Sequence, residues 1–345
     1  MLKNRALGCI VGGAVGDALG YPIEFNSYRD IVRHFGSQGV TDYIYSKGLI
    51  SDDTQMVLFT IDGLLKSEDY KGKHRDSKVR DVYLSYLDWY ATQNNPFSHR
   101  EDYWRYSEGS KLLNIPDLYD LRAPGNTCLS ALNSGKMGTV ENPINNSKGC
   151  GGVMRVAPIG VYFKPENHDI GYVAKIGGDI SAITHGHQLG YLPSAVLACM
   201  IHKILYYNTS LRDAVVESVT VVDKMYNHPS EMRVLRELLN DAFRLADNGK
   251  DDYKNITKLC GHKFNGGGWV AEETLAIAVY CSLKYENDFE KAVVAAVNHD
   301  GDSDSTGAVA GNIMGAILGY DRIPKRYIER LELRNLIEEM TLKML

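Results

Sequence analysis

Gly8, Gly12, Gly16 and Gly20 recur at four-residue spacing in the first apolar segment, and Gly307, Gly311, Gly315 and Gly319 do so in a later one. A glycine inside a helix costs about 1 kcal/mol relative to alanine, so eight of them would undo two isolated helices. Four-spacing, however, puts each set along one helical face, where missing side chains let another backbone come very close. The pattern therefore predicts two central, tightly packed helices, with each other as candidate partners.

Helical periodicity dominates the rest. Apolar residues fall at three and four spacing over 54–66, 78–92, 172–184, 192–207, 211–226, 229–247, 270–284, 287–297, 306–319 and 325–344. No pair of alternating runs is joined by a hairpin turn. The expectation is an all-α fold, a compact array of ten or more helices in one domain over 1–345, with 44% apolar residues to fill its core. Two irregular stretches, 94–126 and 135–152, are rich in Tyr, Trp, Pro, Asn and Gly. Long loops in a compact domain are often functional.

A net charge of −5 without a basic run argues against nucleic acid as the main partner. Six scattered cysteines with no C-x-x-C pair fit free thiols in a reducing compartment. The opening residues, with Lys3 and Arg5 ahead of an apolar stretch, imitate a signal peptide, but the glycines and Asp17 spoil its apolar core. The apolar stretches 189–207 and 306–319 contain Pro193, His202 and Lys203 or are too short to span a bilayer. A cytoplasmic protein that avoids membranes is expected.

Chemistry concentrates at two acidic helix starts. "NHDGDSDSTG" places Asp300, Asp302 and Asp304 at alternating positions. A calcium loop is excluded, because Ser305 stands where a glycine is needed and Gly311 where a glutamate should chelate. Capping explains one oxygen-bearing residue ahead of a helix, not the six found within 300–306. "SDDTQM", from Ser51, sets Asp52 and Asp53 at another helix start. Were the fold to bring both together, their carboxylates would repel by several kcal/mol unless a cation lay among them. Oxygen donors without His or Cys select a hard cation. Ser51, Asp52, Asp53, Asp302, Asp304 and Ser305, divided between two ions, leave room for waters or substrate. That suits two Mg²⁺ ions, with Mn²⁺ as the alternative.

These motifs, with "GCIVGGAVGDALGYPIEF" at 8–25, "SKGCGGVMRVAPIG" at 147–160, "ITHGH" at 183–187 and "GGGWVAEETLAIA" at 266–278, resemble the ADP-ribosylglycohydrolase family over nearly the whole chain. The resemblance implies an all-helical fold around a binuclear magnesium centre held by Ser51, Asp52, Asp53, Asp302, Asp304 and Ser305, where serine replaces the usual threonine. It treats Asp300 as a cap or a support rather than a ligand. It also brings Glu24 near the metals. Ser147, Gly149, Cys150, Gly151, Gly152 and Met154 would line the distal ribose and diphosphate, since a glycine-rich loop lets backbone N–H groups approach phosphate. His185 would touch the phosphates and Trp269 would stack near the adenosine. Cys150 replaces a frequent asparagine, and His187 a frequent aspartate.

The reaction implied is hydrolysis of an N-glycosidic bond from ADP-ribose to a protein arginine. A glycosylated guanidinium leaves as neutral guanidine and needs little acid assistance, so the burden falls on ribose positioning and water activation. Asp53 or Asp304 would take the water's proton, and Glu24 would matter more for an oxygen linkage. Two alternatives stand beside this: hydrolysis of free or O-linked ADP-ribose conjugates, and a binding protein that occludes a partner such as an ADP-ribosylating toxin through the aromatic loop 103–120.

Overall fold

The computed structural model describes residues 1–69, 78–103, 110–261 and 267–345. Its helices run in chain order as α1 (Leu2–Gly20), α2 (Tyr28–Phe35), α3 (Asp52–Asp69), α4 (Lys78–Asn94), α5 (Asn126–Asn133), α6 (Ala157–Tyr162), α7 (Ile170–Ala182) and α8 (Gln188–Tyr207). They continue as α9 (Leu211–Met225), α10 (Pro229–Asn248), α11 (Asp252–Leu259), α12 (Ala271–Lys284), α13 (Phe289–Val297), α14 (Ser303–Leu318), α15 (Lys325–Arg330) and α16 (Arg334–Lys343). Among the described residues there are no strands, only two isolated bridges, Gly48 with Leu331 and Gly149 with Val270. The all-α expectation holds.

The glycine ladders meet face to face. α1 and α14 run antiparallel so that Gly8 lies on Gly315, Gly12 on Gly311 and Gly16 on Gly307, and Gly20 lies on Ser303. A Cβ on Gly12 would sit 2.5 Å from the Gly311 carbonyl oxygen, and one on Gly16 closer still to that of Gly307. The backbones touch where side chains would normally stand, and the dispersion gained there offsets the poor helix propensity. Asn312 completes the seam by donating its amide to the Cys9 carbonyl at 2.8 Å. Gly319 is different: it ends α14 at φ +86°, a left-handed conformation that glycine adopts freely.

Around this pair α8, α12 and α13 supply the core. Two helical stretches, Leu2–Ile23 and Gln188–Tyr207, are long and apolar enough to cross a membrane, yet 83% and 89% of their apolar windows are buried within the chain. Arg5 is part of this interior. Its guanidinium donates to the Ala316 carbonyl at 2.6 Å, the Ile204 carbonyl at 2.8 Å and Asn208 Oδ1 at 3.0 Å, satisfying helix-end carbonyls of α14 and α8 with a positive charge.

The helix expected over 325–344 is broken. Gly48 N–H donates to Arg330 O and Glu332 N–H to Gly48 O, at 2.9 and 3.0 Å, so Leu331 leaves the helix to pair with another segment, and α16 restarts after Leu333 at φ +52°. The short helices α2, α5, α6 and α11 carry too few turns to show a period.

Candidate active site

One helix positions both acidic helix starts. Asp17 of α1, wholly buried, accepts the Ser51 N–H through both oxygens at 3.0 Å, the Thr54 N–H at 3.2 Å and the Thr54 hydroxyl at 2.5 Å. These N–H groups at the head of α3 have no partner within their helix, so a carboxylate beside them ties α3 to α1. One turn further along α1, Gly20 lies against Ser303, the first residue of α14. Asp17 was visible in the sequence as a charge inside an apolar helix. Its partners were not.

The two starts converge. Carboxylate oxygens of Glu24, Asp302 and Asp304 lie within 4.8 Å of one another. Burial, followed by the charges of Asp53 and Asp302, raises the Asp304 carboxyl well above its usual range. Burial and the neighbouring charges of Asp52, Asp17 and Asp302 do the same to Asp53. Asp52 is also raised well above, by burial first, although Gly125 N–H donates to its Oδ2 at 3.1 Å. Glu24, half-buried, is pushed up to about 8 by burial and by the charges of Asp302, Asp52 and Asp17.

Basic groups around the cluster are committed elsewhere. Arg122 pairs with Asp120 and Glu332, Lys148 with Glu272, and Arg155 donates to the Thr184 hydroxyl and Ile180 carbonyl. None of the ion pairs among the described residues neutralises Asp52, Asp53, Asp302 or Asp304. Asp53 Oδ2 is buried with no hydrogen-bond partner among them. A buried anionic oxygen left this way costs several kcal/mol unless it is protonated or faces a cation. The other oxygens are partly used: Asp302 Oδ1 accepts the Ser305 N–H at 3.2 Å, Asp304 Oδ1 accepts it at 2.9 Å, and the Ser51 hydroxyl accepts the Asp53 N–H at 3.2 Å. All six oxygen-bearing residues are buried, and the donor types fit a hard divalent cation.

Asp300 faces away from this centre. Its carboxylate accepts the Tyr28 N–H at 2.6 Å and the Tyr253 hydroxyl at 2.8 Å, and the two tyrosine rings stack at 4.1 Å. Phe25 N–H donates to Gly301 O at 2.9 Å. The segment carrying Glu24 is thus pinned on both sides to the loop that carries Asp302. Inside that loop His299 accepts the Gly301 N–H at 3.0 Å and bonds the Thr306 hydroxyl at 2.8 Å.

The glycine loop borders the acids. Cys150 donates its thiol to Asp302 Oδ2 at 3.1 Å, and the Ser305 hydroxyl reaches Met154 Sδ at 3.9 Å. A Cβ on Gly151 would lie 2.8 Å from His185 Cε1 and 2.9 Å from Cys128 Sγ, and one on Gly149 3.3 Å from His185 Nε2. Gly152 is closed in by the Ser181 hydroxyl. His185 therefore lies beneath the loop, bonded to Thr184 Oγ1 at 2.8 Å, and burial with the Arg155 charge lowers it to about 3. It is a neutral support for the loop. Arg155, missed in the sequence, also stacks its guanidinium on Tyr86 at 4.3 Å. Ser147 Oγ bonds Thr127 Oγ1 at 3.1 Å. Trp269, half-buried, gives its carbonyl to Cys150 N–H at 2.9 Å, so it fixes the loop through its backbone. His187 caps α8 by accepting the Leu189 N–H at 2.9 Å. Of the aromatic loop 103–120, residues 104–109 lie outside the described residues.

Known proteins match this chain along nearly its whole length. The family model described as ADP-ribosylglycohydrolase matches residues 1–345. ADP-ribosyl-[dinitrogen reductase] glycohydrolase of Rhodospirillum rubrum is 24% identical over 96% of this chain and 92% of its own. ADP-ribosylhydrolase ARH3 of Homo sapiens is 24% identical over 95% and 89%, and ADP-ribosylarginine hydrolase Tri1 of Pseudomonas putida is 24% identical over 95% and 74%. A solved structure titled ADP-ribosylglycohydrolase-related protein complex shares the fold, with a TM-score of 0.61 at 23% identity over 99% of this chain and 97% of that one. With acidic helix starts joined by α1 and a match that spans every residue, the chain belongs to the ADP-ribosylglycohydrolase family.

Proposed function

We propose that this chain is a magnesium-dependent hydrolase that releases ADP-ribose from modified protein side chains, with arginine-linked ADP-ribose as its principal substrate. Membership of the family supports hydrolysis of ADP-ribose conjugates, and one relative's name specifies ADP-ribosylarginine. The observation that carries the reading is Asp53 Oδ2, buried and unpartnered beside Asp302 and Asp304. Ser51, Asp52, Asp53, Asp302, Asp304 and Ser305 would hold two ions, which when bound supply Lewis acidity and positive charge at the ribose.

The chain's own groups do the rest. The loop from Ser147 to Met154 borders the acids through the contact of Cys150 with Asp302, so a diphosphate on its backbone leaves the distal ribose over the carboxylates. Asp53 or Asp304 accepts a proton from the attacking water as its oxygen bonds to C1. The C1–N bond breaks toward a guanidinium that already carries its charge and departs as neutral guanidine. Glu24, half-buried at the edge of the cluster with its oxygen within 4.8 Å of those of Asp302 and Asp304, can donate a proton to a leaving oxygen. Incubating the protein with arginine-, serine- and glutamate-linked ADP-ribosylated proteins, with and without EDTA, tests this. Metal-dependent release from the arginine linkage is expected. Metal-independent turnover, or none from any linkage, would overturn it.

A further inference from the structure

Asp300 stands two residues from Asp302, yet it serves another segment. Its Oδ1 accepts the Tyr28 N–H at 2.6 Å and its Oδ2 the Tyr253 hydroxyl at 2.8 Å. Tyr28 opens α2, so that N–H has no partner within its own helix, and only three residues separate it from Glu24. The anchor behind Tyr253 is firm. Beside it, Asp252 accepts the Tyr280 hydroxyl at 2.5 Å, the Lys284 ammonium at 2.6 Å and the Tyr285 hydroxyl at 2.7 Å, which fastens α11 to the largely buried α12. The Tyr28 and Tyr253 rings, parallel to within 9°, complete the clasp. Between Glu24 and Tyr28, Phe25 sits at φ +56°, a left-handed conformation that a bulky residue keeps only where its surroundings impose it. Glu24 therefore reaches the acids from a turn that is held rather than relaxed.

We propose that Asp300, together with Tyr253, is a positioning residue that fixes where the Glu24 carboxyl stands, and so sets how well the site works on oxygen-linked ADP-ribose relative to the arginine linkage. The two hydrogen bonds and the ring stack join α2, α11 and the loop ahead of α14, more than a cap on α2 requires. The specificity claim rests on the reading of Glu24 as a proton donor to a leaving oxygen; the clasp itself does not, and the test separates them.

Hydrogen exchange is measured on Asp300→Ala and on the milder Tyr253→Phe, with circular dichroism showing that each is folded. Exchange over residues 21–26 should speed by about tenfold in Asp300→Ala, as expected for losing hydrogen bonds to a charged acceptor, and by less in Tyr253→Phe, which keeps its ring. Residues 303–318 should keep the parent rates. Unchanged exchange over 21–26 in both variants overturns the clasp, whatever the activity. In steady-state kinetics on serine-linked ADP-ribose, Asp300→Ala should lower kcat by about 10²-fold with KM little moved, and Asp300→Asn, which keeps an acceptor oxygen, should recover much of it. In a Glu24→Gln background Asp300→Ala should cost almost nothing further. A loss as large there as in the parent background is what a merely structural residue gives, and it overturns action through Glu24. A parent protein that turns over the arginine linkage alone overturns the specificity claim, and one that turns over no linkage overturns the proposed hydrolase; in either case the exchange rates still decide the clasp.

Discussion

Asp17 and Thr54 are joined twice: the Thr54 hydroxyl donates to Asp17 Oδ2 at 2.5 Å and the Thr54 N–H to the same oxygen at 3.2 Å. With the Ser51 N–H also on this carboxylate, the head of α3 hangs on one side chain of α1. Asp17→Ala leaves several buried donors unpaired, a loss of about 3 kcal/mol or more. Urea denaturation measures it, and an unchanged midpoint would show that α3 is held by other contacts. Asp17→Asn, which keeps one acceptor oxygen, should lose less.

The glycine seam makes a sharper demand. Gly16→Ala and Gly307→Ala each place a methyl group against backbone that cannot rotate away, and overpacking of this kind costs about 1–3 kcal/mol or more. Because both act on one contact, the double variant should cost less than the sum of the singles. Thermal melts of the three proteins decide it, and strict additivity would count against a shared seam.

Metal removal should be felt in stability as well as activity. A ligand at about a hundred times its dissociation constant stabilises by about 2.7 kcal/mol, so magnesium should raise the melting temperature and EDTA should lower it. In Asp53→Asn the unpartnered oxygen loses its charge and the magnesium response should shrink. A melting temperature indifferent to magnesium in the parent protein would contradict a divalent centre.

Glu24 borders the cluster without joining its buried base, so Glu24→Gln should fold normally. If Glu24 moves a proton for an oxygen linkage, turnover of serine-linked ADP-ribose should fall by about 10²–10⁴, with a smaller effect on the arginine linkage. Steady-state kinetics on both substrates is the measurement. Equal losses on the two would remove the distinction.

His202 gives a pH signature away from the acids. It is wholly buried in α8, and burial lowers its pKa from 6.5 to about 4. Between those values the unfolded chain binds a proton that the folded chain does not, so stability rises with pH there. Its contribution is complete above pH 6.5 and falls away as pH drops toward 4, by roughly 3 kcal/mol. His202→Leu should flatten that part of the stability curve, as urea midpoints at pH 7 and 4.5 would show. An unaltered slope would assign the acid sensitivity to other groups.

Much of this was legible where a local rule points to a single partner. Four-spaced glycines demand a backbone on their face, and the matching ladder supplied it. Acidic residues at Ser51–Asp53 and Asp302–Ser305 exceeded what capping needs, and the structure brings them together. What escaped depended on distant partners. Asp17 needs Ser51 and Thr54, Arg155 needs Thr184 and Tyr86, and the break between α15 and α16 needs Gly48; no period or spacing within one segment encodes these. Trp269 shows the converse, since its carbonyl holds the Cys150 N–H, a link that carries no side-chain signal at all.

The seam between α1 and α14 joins Cys9 to Asn312, residues 303 positions apart, so a ribosome finishes α1 long before its mate emerges. Until then an apolar, glycine-faced segment with poor helix propensity waits without cover, a state prone to association with other chains. Contacts of such long range also slow folding. The acidic cluster that includes Asp302 and Asp304 cannot assemble until α14, beginning at Ser303, has emerged.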